Sequence, residues 1–288
     1  MSGGHARSVL HELLGLRPTT DRHRWHQMVG TAVATTTGAL QGGAAFAAAI
    51  EATVGATGRP LRWATAQFIS HVQRGSEVDI DITVPVDGHH LSQARAVMHC
   101  EGSEILTMLA ALGERPLPFG GLWPVPPDVP APEDCPERLV PGKSGPSILQ
   151  TFDRRAAVGR SYTEVDGHPG PGRSASWFRL PNGRRMVGAG DLALIGDFLM
   201  VEFADALGVP CTGASLDNTV RVAGLDETEW VLLDASVHSV SGGLGYGTAH
   251  LWSQTGGLLG TTSQSLVIRA LTPDGELPDR PGKRIVGN

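Results

Sequence analysis

Residues 190–207 read GDLALIGDFLMVEFADAL. The spacing predicts one helix. At about 100° per residue, Asp191, Glu202 and Asp205 fall in one narrow stripe, where solvent-facing residues belong. Asp197 lies more than a third of a turn away, among Ala193, Leu194, Met200, Val201 and Ala204. An ionised carboxylate on an apolar face is costly to bury unless it is hydrogen-bonded or paired. At such a place it reads as a working group, able to orient and deprotonate a water. Burial raises its pKa and donated hydrogen bonds lower it, and the sequence leaves that balance open.

Working outward, four strand-like runs follow this helix: TGASLDNTVRVAG, EWVLLDASVHSV, YGTAHLWSQTGG and LLGTTSQSLVIRAL. The first half shows the same order. A helix of small residues, LQGGAAFAAAIEATVG (40–55), precedes LRWATAQFISHV, EVDIDITVPVDG, LSQARAVMHCEG and EILTMLAALG. Turn residues sit at matching breaks. ATAQF (64–68) lines up with ASLDN (214–218), and Glu101-Gly102 lines up with Thr255-Gly256. A period of about 150 residues indicates domain duplication. Half of the 20 prolines lie between Pro116 and Pro146. Proline removes donors and fixes φ, so this stretch reads as an extended connector. Its Phe119, Leu122 and Trp123 predict that it packs on the surface. The chain thus divides into 1–115, 116–146 and 147–288. One helix followed by a meander implies an α+β fold, a curved antiparallel sheet wrapped on its helix.

Composition narrows the function. The 288 residues are 41% hydrophobic, and the net charge of −6 comes without a basic run, which argues against nucleic acid as a partner. Lys143 and Lys283 are the only lysines. Cys100, Cys135 and Cys211 are far apart and form no CxxC, so neither a disulfide framework nor a structural zinc site is expected. A reduced, cytoplasmic setting follows. The N-terminus lacks an apolar signal region, and no apolar run reaches the roughly 18 residues of a membrane span.

Four motifs stand in order: LQGG at the first helix, LIGDFL around Asp197, ASLD at Ser215, and TTSQ ending at Gln264. Together they resemble the bacterial acyl-CoA thioesterase II family and the broader thioesterase-like proteins of actinobacteria. The resemblance covers most of the chain apart from the first twenty residues, the connector and the tail. It implies a tandem (double) hotdog fold and hydrolysis of fatty acyl-CoA to fatty acid and CoA, with no cofactor or metal. It also implies that Asp197, Ser215 and Gln264 hold the attacking water. The family often has Thr at the second position; Ser keeps the hydroxyl and loses a methyl. The loop after His238 is shorter than in thioesterase II.

The residues can also be read on their own. Gln264 shares strand parity with Leu266 and Ile268, which places its amide on the core face, where a polar group needs partners. An amide offers donor and acceptor, which suits holding a water against a carboxylate. Ser215 shares parity with Asp217 and Thr219, the more polar face, although a bulge would reverse this. Asp217 and His238 therefore compete for a site role. An ungapped internal match puts Ala44 opposite Asp197, Thr65 opposite Ser215 and Ala110 opposite Gln264, so the first half lacks the carboxylate and the amide. Its expected role is substrate binding through Gly42, Gly43 and Thr65. The helix start after Gln41 would offer backbone N–H groups to the thioester oxygen beside an acyl tunnel.

Other motifs do not survive. GGLGYG (242–247) joins two strands instead of opening a helix, so it is no dinucleotide site. GKSG at Gly142 lacks the upstream Gly of a P-loop, since Glu137 stands there. HRWH (23–26) and His89-His90 have no metal partner placed by sequence. No G-x-S-x-G elbow exists. A hotdog enoyl hydratase would need a His paired with the acid, where Phe198-Leu199-Met200 stands. A non-catalytic acyl-CoA or lipid binder stays open as an alternative. Finally, LSQARAVMHC and YGTAHLWSQ keep apolar residues on both faces. With the family resemblance, that predicts a homodimer covering the sheet.

Overall fold

The computed structural model describes residues 8–138 and 146–271. The first half contains α1 (Val9–Leu14), β1 (Leu16–Pro18), β2 (Arg24–Met28) and α2 (Gly42–Thr57). Then come β3 (Leu61–Phe68), β4 (Glu77–Asp87), β5 (Leu91–Cys100) and β6 (Ser103–Gly113). The second half begins with β7 (Arg154–Val158), β8 (Arg173–Arg179) and β9 (Arg185–Met186). Two helices follow, α3 (Ala189–Gly196) and α4 (Leu199–Leu207). The remaining strands are β10 (Cys211–Val222), β11 (Glu227–Thr228), β12 (Trp230–Ser241), β13 (Leu244–Ser253) and β14 (Leu258–Ala270).

Twelve strands form one sheet in the order β1-β2-β4-β5-β6-β3-β10-β14-β13-β12-β8-β7, and β9 pairs only with β11. Every neighbouring pair is antiparallel, and the halves meet where β3 pairs β10 from Trp63↔Arg221 to Gln67↔Asp217. The middle pair is Thr65↔Thr219. Backbone pairing runs straight across the junction, so the halves join edge to edge in one sheet.

Each half lays its helix on the sheet. In α2, Ala44 to Ile50 are all buried, because small side chains let the helix axis approach the sheet closely. The single helix expected over 190–207 is two. It breaks at Gly196-Asp197-Phe198, with Asp197 as the C-cap of α3 and Phe198 as the N-cap of α4. Gly196 is pressed on β14, where a Cβ would lie 2.9 Å from Thr262 Oγ1. Nor does the acidic stripe face solvent. Asp191, Glu202 and Asp205 are each 2% exposed. Each meets an arginine: Arg185 on Asp191 at 2.6 Å, Arg138 on Glu202 at 2.7 Å, and Arg160 on Asp205 at 2.7 Å. Helical period marks a polar face, but charged neighbours from other segments satisfy these carboxylates in place of water.

The connector packs on the outer face of the second half, though not through the residues expected. Phe119, Leu122 and Trp123 are 77%, 56% and 85% exposed. The contact lies further on. Val129 and Cys135 join a second small core with Trp177, Trp230, Leu232, Trp252 and Leu258. Trp177 Nε1 donates to the Pro130 carbonyl at 3.0 Å. This explains the apolar outer face of β13: the connector covers Trp252 within one chain. β5 alternates cleanly, with Ser92, Ala94, Ala96 and Met98 buried and Leu91, Gln93 and Arg95 exposed, so it is not apolar on both faces.

Candidate active site

Three elements converge on Asp197: the α3–α4 break that carries it, the paired strands β10 and β14, and the N-terminus of α2. Ser215 reaches it because of a bulge. β10 pairs Ser215 with Leu266 but Asp217 with Ser265, which leaves Leu216 unmatched and reverses the alternation. Ser215 Oγ then donates to Asp197 Oδ1 at 3.1 Å. Gln264 Nε2 donates to the same oxygen at 2.5 Å and to Ser215 Oγ at 2.7 Å. A carboxylate only accepts, so the Gln264 atom facing it is the nitrogen. Gln264 Oε1 is buried without a donor among the described residues.

The other carboxylate oxygen belongs to the first half. Gly43 N–H donates to Oδ2 at 2.8 Å. The Gln41 amide, which caps α2 by accepting from Ala44 N at 2.8 Å, also donates to Oδ2 from Nε2. The sequence reading used Gln41 only as the start of a helix; its side chain is the residue missed. An amide before two glycines at a helix start was the available signal. Asn218 was missed as well. Its Oδ1 accepts from Thr262 at 2.8 Å, its Nδ2 has no acceptor among the described residues, and its dipole favours the Asp197 anion.

Burial and donors oppose each other. Asp197 is 7% exposed, and desolvation raises its pKa above the ordinary carboxylate value. Gly43, Ser215, Gln264 and Asn218 pull it back without cancelling the rise. The positive end of α2 acts in the same direction as these donors. The balance left open by the sequence falls on the side of burial.

Several expected residues lie elsewhere. Asp217 Oδ1 accepts from Ser265 N at 2.9 Å and so ties the bulge together. His238 is exposed, hydrogen-bonded to Thr248 at 2.7 Å and tilted against Tyr246. Thr65 shares its hydrogen bond with Thr219 at 2.7 Å. Since Asn218 and Gln264 face the helices, their neighbour Thr219 and its partner Thr65 face the other side of the sheet. The Gly43 N–H is spent on Asp197 and does not await a thioester oxygen, whereas the Gly42 N–H has no acceptor among the described residues. The clefts beside Arg62 and beside Arg154 do not reach Asp197.

The register also corrects the internal match. β3 carries its own irregularity between Leu61 and Trp63, opposite β6. Thr65 and Thr219 are 154 residues apart, and the same offset carries Leu61 to Ser215, Ala64 to Asn218 and Ala110 to Gln264. Gly43 and Asp197 are also 154 apart. The residues opposite Asp197 and Ser215 are therefore Gly43 and Leu61, not Ala44 and Thr65. The first half still lacks every polar group of the cluster.

A buried carboxylate held by four donors, next to an amide oxygen that meets no donor among the described residues, is chemically able to hold and deprotonate a water. Comparison with known proteins gives the family. Residues 132–268 match the acyl-CoA thioesterase C-terminal domain family. A candidate thioesterase from Novosphingobium aromaticivorans is 31% identical, with a TM-score of 0.78 over 88% of this chain and 98% of that one. A hot dog fold protein of unknown function from Alicyclobacillus acidocaldarius is 20% identical, with a TM-score of 0.77 over 92% of this chain and 99% of that one. The tesB protein of Mycobacterium avium subs paratuberculosis is 19% identical, with a TM-score of 0.70 over 90% and 98%. These last two share the fold. No curated protein matches by sequence. The chain belongs to the acyl-CoA thioesterase family and is a thioester hydrolase.

Proposed function

We propose that the chain is a tandem hotdog enzyme that hydrolyses fatty acyl-CoA to free fatty acid and CoA, with Asp197 as general base. The convergence of Asp197, Ser215 and Gln264 carries this reading. One O–H of the water is held by Asp197, and Gln264 Oε1 suits the other. The water oxygen attacks the thioester carbonyl carbon while its proton passes to Asp197. The Gly42 N–H at the start of α2 is the donor available to the developing oxyanion. Collapse breaks the C–S bond, and the proton on Asp197 goes to the departing CoA thiolate. The reaction balances with acyl-CoA and water alone.

Asp197→Asn tests the assignment. Asn is close in shape but cannot take a proton from water, so release of free thiol from acyl-CoA falls by roughly 10²–10⁴-fold. Acyl-CoA binding, measured by calorimetry, stays nearly intact. Turnover at the wild-type rate would remove Asp197 from the base role. Normal binding with no turnover in the wild type, over several chain lengths, would favour an acyl-CoA binder.

A further inference from the structure

A second polar cluster lies on the far side of Phe198, the residue after Asp197. Glu202 of α4 is its only buried carboxylate. Its oxygens accept from Arg138 at 2.7 Å, Ser174 at 2.5 Å and Ser176 at 3.2 Å. Arg138 balances that charge. Arg154 is then a surplus cation. It is 6% exposed and its guanidinium makes no hydrogen bond or ion pair among the described residues. Its carbon sits over the Phe198 ring, 5.4 Å from the centre. Arg138, although its charge is paired, is 3% exposed and keeps two spare donors, Nε and Nη1, with no acceptor among the described residues.

An unpaired guanidinium in such a place is costly, and proteins pair buried charges or neutralise them. Burial does lower the pKa of Arg154, to about 10, which leaves it charged at neutral pH. What the interior does not supply, the exterior can reach. Arg138 and Arg154 line an open cleft of about 440 Å³ whose floor includes Phe152 and Gln150. Phe152 packs edge-on against Phe198 at 5.8 Å. Glu137 and Asp153 stand at the rim, and Asp153 is occupied by Arg155 at 2.8 Å. A planar guanidinium facing a cleft matches a carboxylate or phosphate in fork geometry.

We propose that the Arg154 cleft is an oxyanion-binding site, separate from the Asp197 carboxylate and divided from it by the Phe198 side chain. The inference stands independently of the general-base reading. The occupant is a carboxylate or a phosphate group, and three probes distinguish the sources: inorganic phosphate, glutarate and CoA. Thermal midpoints are measured at constant ionic strength for the wild type, Arg154→Gln and Arg155→Gln. At least one probe raises the wild-type midpoint saturably, and Arg155→Gln responds in the same way. Arg154→Gln requires roughly tenfold more ligand or greater for the same shift, as expected for loss of a charged hydrogen-bonding partner. Without ligand, Arg154→Gln melts no lower than the wild type, since a buried unpaired charge disappears. A response to phosphate alone marks a phosphate site, to glutarate alone a carboxylate site, and to CoA alone a site for a phosphate-bearing head group. If Arg154→Gln does not fold, Arg154→Lys keeps the charge, loses the fork and must still bind more weakly than the wild type. The proposal fails if no probe shifts the wild type, if the Arg154 variant responds equally, or if Arg155→Gln loses the response as fully.

Discussion

Asp197 is a carboxylate held in two hands: one oxygen receives the second half of the chain, the other the first. Because desolvation outweighs its donors, its pKa lies above the ordinary range. In the proposed general-base role Asp197 works only when ionised, so kcat/KM is expected to rise with pH through that elevated value. Asp197→Asn loses this acidic limb together with the rate. Ser215→Ala removes one of the donors that lower the pKa, so the limb moves to higher pH by about one unit. An unchanged limb would take Ser215 out of contact with the base in solution. Stability follows the same linkage. A raised folded pKa gives a contribution that is complete below the unfolded value and is lost as pH rises through the folded one. The midpoint difference between Asp197→Asn and the wild type therefore shifts in favour of the variant as pH climbs through that window. Asp197 and Gln264 were legible in the sequence because each is polar where the local period demands an apolar residue. The face of Ser215 was not, because one bulged residue, Leu216, reverses parity. Gln41 was hidden for another reason: its place before two glycines at a helix start was visible, but its partner is 156 residues away and the sequence does not name it.

Among the elements, the contact between α2 and α3 sets the precision of the site. A Cβ on Gly43 would fall 2.5 Å from Asp197 Cβ and 3.0 Å from the carbonyls of Ala193 and Leu194. Gly43→Ala must therefore push the two helices apart. We expect a loss of about 1–3 kcal/mol in chemical denaturation. The rate falls further than stability explains, because the Gly43 N–H moves off Oδ2. A variant with wild-type kinetics would show that the helices separate without disturbing the carboxylate. Helix α3–α4 also shows where pattern reading stops. The stripe of Asp191, Glu202 and Asp205 was visible, but periodicity cannot tell water from arginine. The three arginines that bury the stripe come from Arg138, Arg160 and Arg185, outside the helix. The succession of strands along the chain fared better, since each run was bounded by its own turn residues, but neither half is a simple meander: its first long strand, β3 or β10, closes back to pair with its last, β6 or β14.

Across the whole molecule, the duplicated order of elements and an edge-to-edge join of the halves were readable, while the identity of the joining strands, β3 and β10, was not, since edge strands carry no mark of their partner. No helix among the described residues is long and apolar enough to cross a membrane. The homodimer is a proposal, and its basis has narrowed. The connector already covers the outer face around Trp177 and Trp252, while Leu91 and Leu109 on the first half and Phe119 and Trp123 on the connector are among the apolar groups still exposed. We expect light scattering at micromolar concentration to give twice the 30.2 kDa chain mass, and the dimer to bury at least about 1,000 Å². A monomer mass would leave those side chains in water. The junction itself sets a further limit. Thr65 meets Thr219 and Gly43 meets Asp197 at one shared offset, so whatever occupies position 43 confronts its own counterpart. An acid there would overlap Asp197 and set two like charges side by side. The seam has room for a single anion, and a faithful repeat would be sterically and electrically self-defeating. Asymmetry between the halves is therefore a condition for the centre to exist: one half contributes the charge, and the other contributes the empty space and the N–H that make it tolerable.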